Sequence, residues 1–177
     1  MALDKVSQRV LDAVYARLAA VSNGYNAGIA VQAPNYSLAA TAMQLDFSAS
    51  SQNFYFDQID SEMLEKSGAI KYPFACLYIL ESAQTNEQKF TQFSGAIRCV
   101  FEVNISWVPI RGTQNREIYS NCIEDVVIDV INRVDNQNWG QPLVYNGQIQ
   151  CKRGPTVYGA QNYKKKIGFS MIFQLHQ

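Results

Sequence analysis

Residues 97–108 read IRCVFEVNISWV, and their hydrophobic pattern decides the fold class. Every second position carries an apolar side chain: Ile97, Cys99, Phe101, Val103, Ile105 and Trp107. The positions between them are mostly polar. Successive side chains of a β-strand point to opposite faces of the sheet, so this alternation predicts a long strand with one buried face and one mixed face.

Three further stretches predict the rest of the sheet. Residues 74–80, FACLYIL, are apolar on both faces, as in a strand covered on both sides. The polar residues 81–94 lie between this strand and the next and predict a projecting hairpin. Residues 167–175, IGFSMIFQL, alternate again and predict a closing strand. Within residues 143–151, the pair Asn146-Gly147 is typical of a tight turn and predicts a small hairpin of two short strands.

Two segments have helical periodicity. Val6, Val10, Val14 and Leu18 recur every four residues, which predicts an amphipathic helix over residues 3–21. Residues 117–134 are rich in β-branched side chains, yet their apolar positions keep steps of three and four and predict a second helix. The chain is therefore predicted to be a single α+β domain over residues 1–177, with two main helices on a mostly antiparallel mixed sheet.

Residues 24–53 do not fit this scheme. Residues 25–31 are compatible with one short strand, and the remainder has few charges and no clear period. A long polar connection is unusual inside a compact domain. We therefore expect an extended loop or arm here, either mobile or settled on a neighbouring subunit.

Charge and composition limit the function. The 15 Lys and Arg residues balance the 15 Asp and Glu residues, so net charge does not recruit the protein to nucleic acid or to an anionic membrane. Charged residues make up 17% of the chain, below the roughly 25% of an average domain. The shortage is concentrated in polar, uncharged segments, which we expect to contact partner proteins. No apolar run has the length of a membrane span, and no membrane partner is expected.

The sequence offers little for catalysis. His176 is its single histidine, and no Cys-x-x-Cys pair or glycine-rich phosphate loop is present. Four isolated cysteines are expected to be reduced thiols, with the first three in the core: Cys76, Cys99, Cys122 and Cys151. We therefore predict no catalytic residue, no metal ligand and no cofactor, and expect that the protein is not an enzyme.

Two groups of residues are candidates for partner contacts. Lys89, Phe90 and Phe93 lie in the predicted hairpin, where two phenylalanines would be unfavourable on a free surface. Lys164, Lys165 and Lys166 are consecutive and predict a local positive patch. Because tyrosines flank this run, a small nucleic-acid-binding module stays open as an alternative to a solvated turn.

The element order resembles that of the tail terminator, or tail completion, proteins of long-tailed bacteriophages. The features that carry the resemblance are an N-terminal amphipathic helix, the strand introduced by Tyr72-Pro73-Phe74, a long polar hairpin, and a strand ending at Trp107-Val108-Pro109. A second helix and a closing strand follow them. The segment 24–53 departs from the simplest version of the pattern.

This resemblance implies a structural virion protein involved in head–tail joining. Such subunits form hexameric rings that cap the tail tube, stop its growth and join it to the neck. The implied partners are further copies of the chain, the tail tube protein, a neck or stopper protein and possible sheath subunits, with genomic DNA only as passing cargo. The implied location is the tail or neck of the virion, after assembly in the host cytoplasm.

The same resemblance assigns roles to the candidate contacts. Lys89, Phe90 and Phe93 would meet the tube or the neck ring, and Lys164 to Lys166 would lie near the DNA channel or an acidic neighbour. Another head–tail connector, a stopper, or a tube- or sheath-associated subunit is the nearest alternative.

Overall fold

The elements of the fold follow the predicted order, with differences at three places. The computed structural model describes residues 6–60, 66, 68, 71–86, 93–107, 117–133, 139–140, 143–158 and 162–175. The helices of this part are α1 (Val6–Leu18), α2 (Tyr25–Gln32) and α3 (Ile118–Asn132), with short 3₁₀ turns at Ala33–Tyr36 and Ala40–Ala42. The strands are β1 (Phe54–Tyr55), β2 (Phe74–Asn86), β3 (Phe93–Trp107), β4 (Leu143–Arg153), β5 (Val157–Tyr158) and β6 (Tyr163–Leu175). The predicted α+β class is confirmed.

The strands form one mixed sheet in the order β1-β2-β3-β6-β4, with β5 paired to the start of β6. The β1–β2 pair is parallel and the other pairs are antiparallel. Strand β6 follows the others in the chain but lies between β3 and β4, where Phe169 opposes Phe101 on one side and Cys151 on the other. The strands predicted at residues 74–80, 97–108 and 167–175 are confirmed, with longer bounds.

One face of the sheet carries the main core. The alternating apolar residues of β3 and β6 point to this face, and the three helices pack against them. Phe101 and Phe169 are fully buried, and their rings stack with centroids 6.3 Å apart. The buried contributions of the two long helices are Val10, Val14 and Leu18 from α1, and Cys122, Ile123, Val126, Val127, Val130 and Ile131 from α3. Both predicted helices are confirmed.

The β2–β3 hairpin extends beyond the rest of the sheet. Its pairing continues to Asn86 opposite Phe93, whereas the β3–β6 pairing stops at Gly95 opposite Leu175. The two strands of the predicted hairpin are confirmed. Its tip, residues 87–92, lies outside the described residues.

Residues 25–31, predicted as a short strand, form helix α2. Tyr25, Ile29 and Ala33 are spaced by four residues and are completely buried. Gly28 lies against α3, where an added Cβ would be 2.7 Å from a methyl carbon of Val126. A glycine therefore lets the two helices approach closely. The strand prediction was wrong because a short apolar run fits either structure until its packing partner is known.

Residues 24–53, predicted as an extended arm, are instead part of the domain core. Met43 and Leu45 are buried in the main cluster together with α2. Backbone groups of this segment are bonded by side chains from the helices. The Tyr25 hydroxyl donates to Met43 O at 3.0 Å, and the Asn26 amide donates to Leu45 O at 2.6 Å. Because side chains satisfy these backbone groups in place of a helix or a strand ladder, the segment has no hydrophobic periodicity in its sequence.

The Asn146-Gly147 turn, predicted to separate two short strands, is a bulge inside the single strand β4. Tyr145 opposes Phe173 and Ile149 opposes Met171, so three residues of β4 face one residue of β6. Gly147 takes φ 79°, which a glycine adopts without strain. The strand continues because Tyr145 and Ile149 both pack on the same apolar core face.

Substitution within α2 tests its place in the core. Ile29→Ala removes a fully buried side chain and is expected to lower the free energy of unfolding by about 2–5 kcal/mol. Val31→Ala, two residues away and 69% exposed, is the matched control and should change it by less than about 0.5 kcal/mol. Urea unfolding measures both values. Equal, small effects would mean that this segment is a detached arm after all.

Candidate functional site

The second face of the sheet has no helix packed on it within the described residues. We call it the open face, and the residues around its centre are Tyr78, Leu80, Glu81, Arg98, Val100, Glu102, Gln150, Lys152, Lys164, Lys166, Gly168 and Ser170. At the β1 end, Tyr55, Ile59 and Tyr72 pack over a small second cluster that includes Phe74 and Cys76. Away from that end, no described element covers the open face.

A depression of about 430 Å³ lies in the middle of the open face. Its floor includes Gly168, because a strand residue without a side chain leaves a gap between its neighbours. A Cβ added to Gly168 would lie 3.7 Å from Glu102 Cγ and 3.7 Å from Lys152 O, which is ordinary contact distance. Leu80 contributes an apolar side chain that is 54% exposed. The depression therefore combines an apolar surface with a polar border.

Glu102 is a buried carboxylate in this depression. The Tyr78 hydroxyl donates a hydrogen bond to Glu102 Oε1 at 2.9 Å. The second oxygen, Oε2, lies 3.4 Å from Lys166 Nζ, but the contact is not aligned as a hydrogen bond. Burial, together with the bond to Glu102, raises the pKa of Tyr78 well above its usual value, so its hydroxyl stays a donor.

Positive charges surround the depression. Arg98 donates to Glu81 Oε2 at 3.1 Å and to Ser170 Oγ at 3.4 Å. Lys152 is exposed and forms no ion pair within the described part of the chain. Arg98, Lys152, Lys164 and Lys166 thus place four cationic side chains on this face. Arg98 and Lys166 face the carboxylates of Glu81 and Glu102.

The predicted positive patch at residues 164–166 is split between the two faces, because neighbouring side chains of β6 alternate. Lys164 and Lys166 lie on the open face, and Lys164 Nζ is 5.7 Å from the centre of the Tyr72 ring. Lys165 is only 6% exposed and points to the helical face, where it pairs with Glu117. The prediction of one patch formed by all three lysines was therefore wrong.

The helical face has its own ion network at the start of α3. Arg153 donates to Glu124 Oε2 at 3.1 Å, to Glu117 Oε2 at 3.2 Å and to Asn121 Oδ1 at 2.8 Å. The bond from Lys165 is the main cause of a lowered pKa at Glu117. This network ties β4 and β6 to α3. Its carboxylates thus have structural partners.

The remaining groups with chemical reactivity are the cysteine thiols and the side chains that could bind a metal ion. All four cysteines are free thiols, and the predicted burial of Cys76, Cys99 and Cys122 is confirmed. Burial raises the pKa of Cys76 to about 11 and that of Cys99 to about 12, which keeps both thiols protonated at neutral pH. Among the described residues, no three His, Cys, Asp or Glu side chains are grouped to bind a metal ion.

The predicted hairpin contacts stay a prediction. Lys89 and Phe90 lie outside the described residues, and Phe93 is described through its backbone pairing with Asn86. Sequence reasoning missed Glu102 and Gly168 as site residues. A signal for Glu102 was present, since a carboxylate on the mixed face of a central strand needs a partner.

No protein-family model matches the chain, and no curated protein matches it significantly in sequence. No helix in the described part of the chain is long and apolar enough to cross a membrane.

Removing the Tyr78 hydroxyl tests the support of Glu102. Tyr78→Phe leaves both oxygens of the buried carboxylate without a hydrogen bond and is expected to cost about 1–3 kcal/mol of stability. Tyr119→Phe removes a hydroxyl from a half-buried ring of α3 and serves as the control. Urea midpoints compare the two variants. Equal midpoints would contradict the role assigned to this bond.

Alkaline pH should destabilise the protein. Burial raises the pKa of Tyr145 to about 12, and it also raises the pKa values of Tyr25 and Tyr78. Above pH ~10 the unfolded chain loses these three protons while the folded chain keeps them, so the free energy of unfolding falls as pH rises. Denaturant midpoints should decrease from about pH 9 to about pH 11. In Tyr145→Phe the midpoint should decrease less over this pH range. An unchanged slope of the midpoint against pH would contradict the role assigned to Tyr145.

Proposed function

We propose that the chain is a structural subunit of a phage tail, of the tail terminator type. In this role it forms a ring that caps the tail tube, stops tube elongation and joins the tube to the neck or connector. Its partners are further copies of itself, the tail tube protein and a neck or stopper protein, and its place is the tail of the virion. The nearest alternative is another head–tail connector, stopper, or tube- or sheath-associated subunit.

The observation that carries this proposal is the amount of unpaired β-structure. Within the described residues, one face of the sheet has no helix packed on it, and β4 is an edge strand of 11 residues with β6 on one side. At the other edge of the sheet, the short strand β1 pairs with β2 only at Ala75 and Cys76. The rest of β2 has no described neighbour on that side. Exposed strand edges and faces are surfaces that associate with other chains.

The chemistry of the described residues also favours assembly over catalysis. The carboxylates of α3 have structural partners, since Glu124 binds Arg153 and Asp129 binds Arg133 at 2.7 Å. The thiols of the core are held protonated by burial. A heterologous contact between unlike edges closes into a ring when the rotation between subunits permits it.

Two measurements test this proposal. Native mass spectrometry of the purified chain, alone and with tail tubes of the phage that encodes it, should detect a hexameric ring at least on the tubes. Negative-stain images should place this ring at one tube end, and tubes should stop growing when the chain is added. A chain that stays monomeric with tubes present, and leaves their length unchanged, would overturn the proposal.

The hairpin tip supplies a sharper variant. Replacing residues 87–92 by Asn-Gly keeps the pairing of Asn86 with Phe93 and closes the strands with a favoured two-residue turn. We expect an unchanged melting temperature and loss of tube capping, because Lys89 and Phe90 are removed. Lys71→Gln removes an exposed charge outside the hairpin and is the control. Full capping by the shortened chain would show that the tip is not a tube contact.

A further inference from the structure

We infer that the depression in the open face binds an extended segment of a partner protein in which a large apolar side chain is flanked by carboxylates. The inference deepens the proposed function and rests on it in one respect, since it treats the open face as an assembly surface. It names the chemistry of the partner.

The apolar part of this chemistry follows from the floor of the depression. Gly168 leaves space above the centre of the sheet, with ordinary contact distances to Glu102 and Lys152. Leu80, which also lines the depression, is 54% exposed. The depression, at about 430 Å³, has room for a large apolar side chain over Gly168, which would displace water from the apolar surface there.

The acidic part follows from the border. Lys152 has no ion-pair partner within the described residues, and the Glu81 partner of Arg98 is 71% exposed. Carboxylates on either side of an apolar anchor would complement Lys152 and Arg98 without entering the depression.

Glu102 argues against a nucleic-acid strand on this surface. Its buried carboxylate lies in the middle of the depression, and its Oε2 atom has no hydrogen bond beneath Lys166. A phosphate backbone along the face would bring repeated negative charge close to this buried carboxylate. A peptide can instead place its neutral apolar side chain there and keep its carboxylates at the border.

The experiment uses the full chain labelled with ¹⁵N and the acetylated, amidated pentapeptide Asp-Gly-Phe-Gly-Asp as probe, because residues two apart in an extended chain share one face. In low salt, saturable amide shifts are expected at Val100, Lys152, Gly168 and Ser170. The matched peptides Asn-Gly-Phe-Gly-Asn and Asp-Gly-Ala-Gly-Asp test the carboxylates and the ring separately, and both should bind more weakly. An oligothymidylate of about 20 nucleotides tests the competing class of partner.

One substitution closes the depression without removing any charge. Gly168→Val fills the floor, and the space at this position accepts a Cβ. The variant should fold with equal or higher stability, since valine favours strands, and should lose peptide binding. Gln174→Val is the matched control, because it lies on the same strand and face, roughly 20 Å away. It should bind the peptide as the unchanged chain does.

Charge variants complete the test. Lys152→Gln should weaken binding about two- to fivefold, as expected for an exposed ion pair. Arg9→Gln, on an exposed position of α1, should leave it unchanged. Absent shifts, shifts confined to the helices, equal binding by Gly168→Val, or tighter binding of the oligothymidylate would each overturn the inference. Ring formation by the same variants is read separately by native mass spectrometry, so failure of peptide binding is distinguishable from failure of the proposed function.

Discussion

The antiparallel pairing of β3 with β6 is the constraint on which the rest of the structure depends. It runs from Gly95 opposite Leu175 to Trp107 opposite Tyr163, and it fixes which side chains face the helices. Because the register places Phe101 beside Phe169, the apolar positions of both strands fall on one face. The same register collects Arg98, Glu102 and Lys166 on the other face, so the core and the open face are two results of one pairing.

The parts of the fold that were predictable are those in which a local pattern repeats. Residues 97–108 alternate over their whole length, and the steps of α3 outweigh its β-branched composition. Residues 24–53 were not predictable in this way, since their backbone is held by distant side chains such as Asn26 and Tyr15. Asn146-Gly147 has the same local chemistry in a bulge as in a hairpin turn, and only the partner strand decides between them.

The candidate site was less accessible than the fold. The three consecutive lysines at 164–166 suggested one patch, although the alternation of their own strand already assigns the middle one to the opposite face. The pairing of Tyr78 with Glu102, and the approach of Lys152 to the same depression, depend on the registers of three strand pairs. A sequence contains the residues of such a surface but does not state which of them are neighbours.

The central position of β6 has a consequence for biosynthesis. Strands β3 and β4 are translated before the strand that joins them, so while residues 163–175 are still in the ribosome, both have unpaired backbone groups on the sides that later meet β6. A nascent chain in that state exposes β-edges and the apolar face beside Phe101. The sheet is therefore completed only after β6 has left the ribosome.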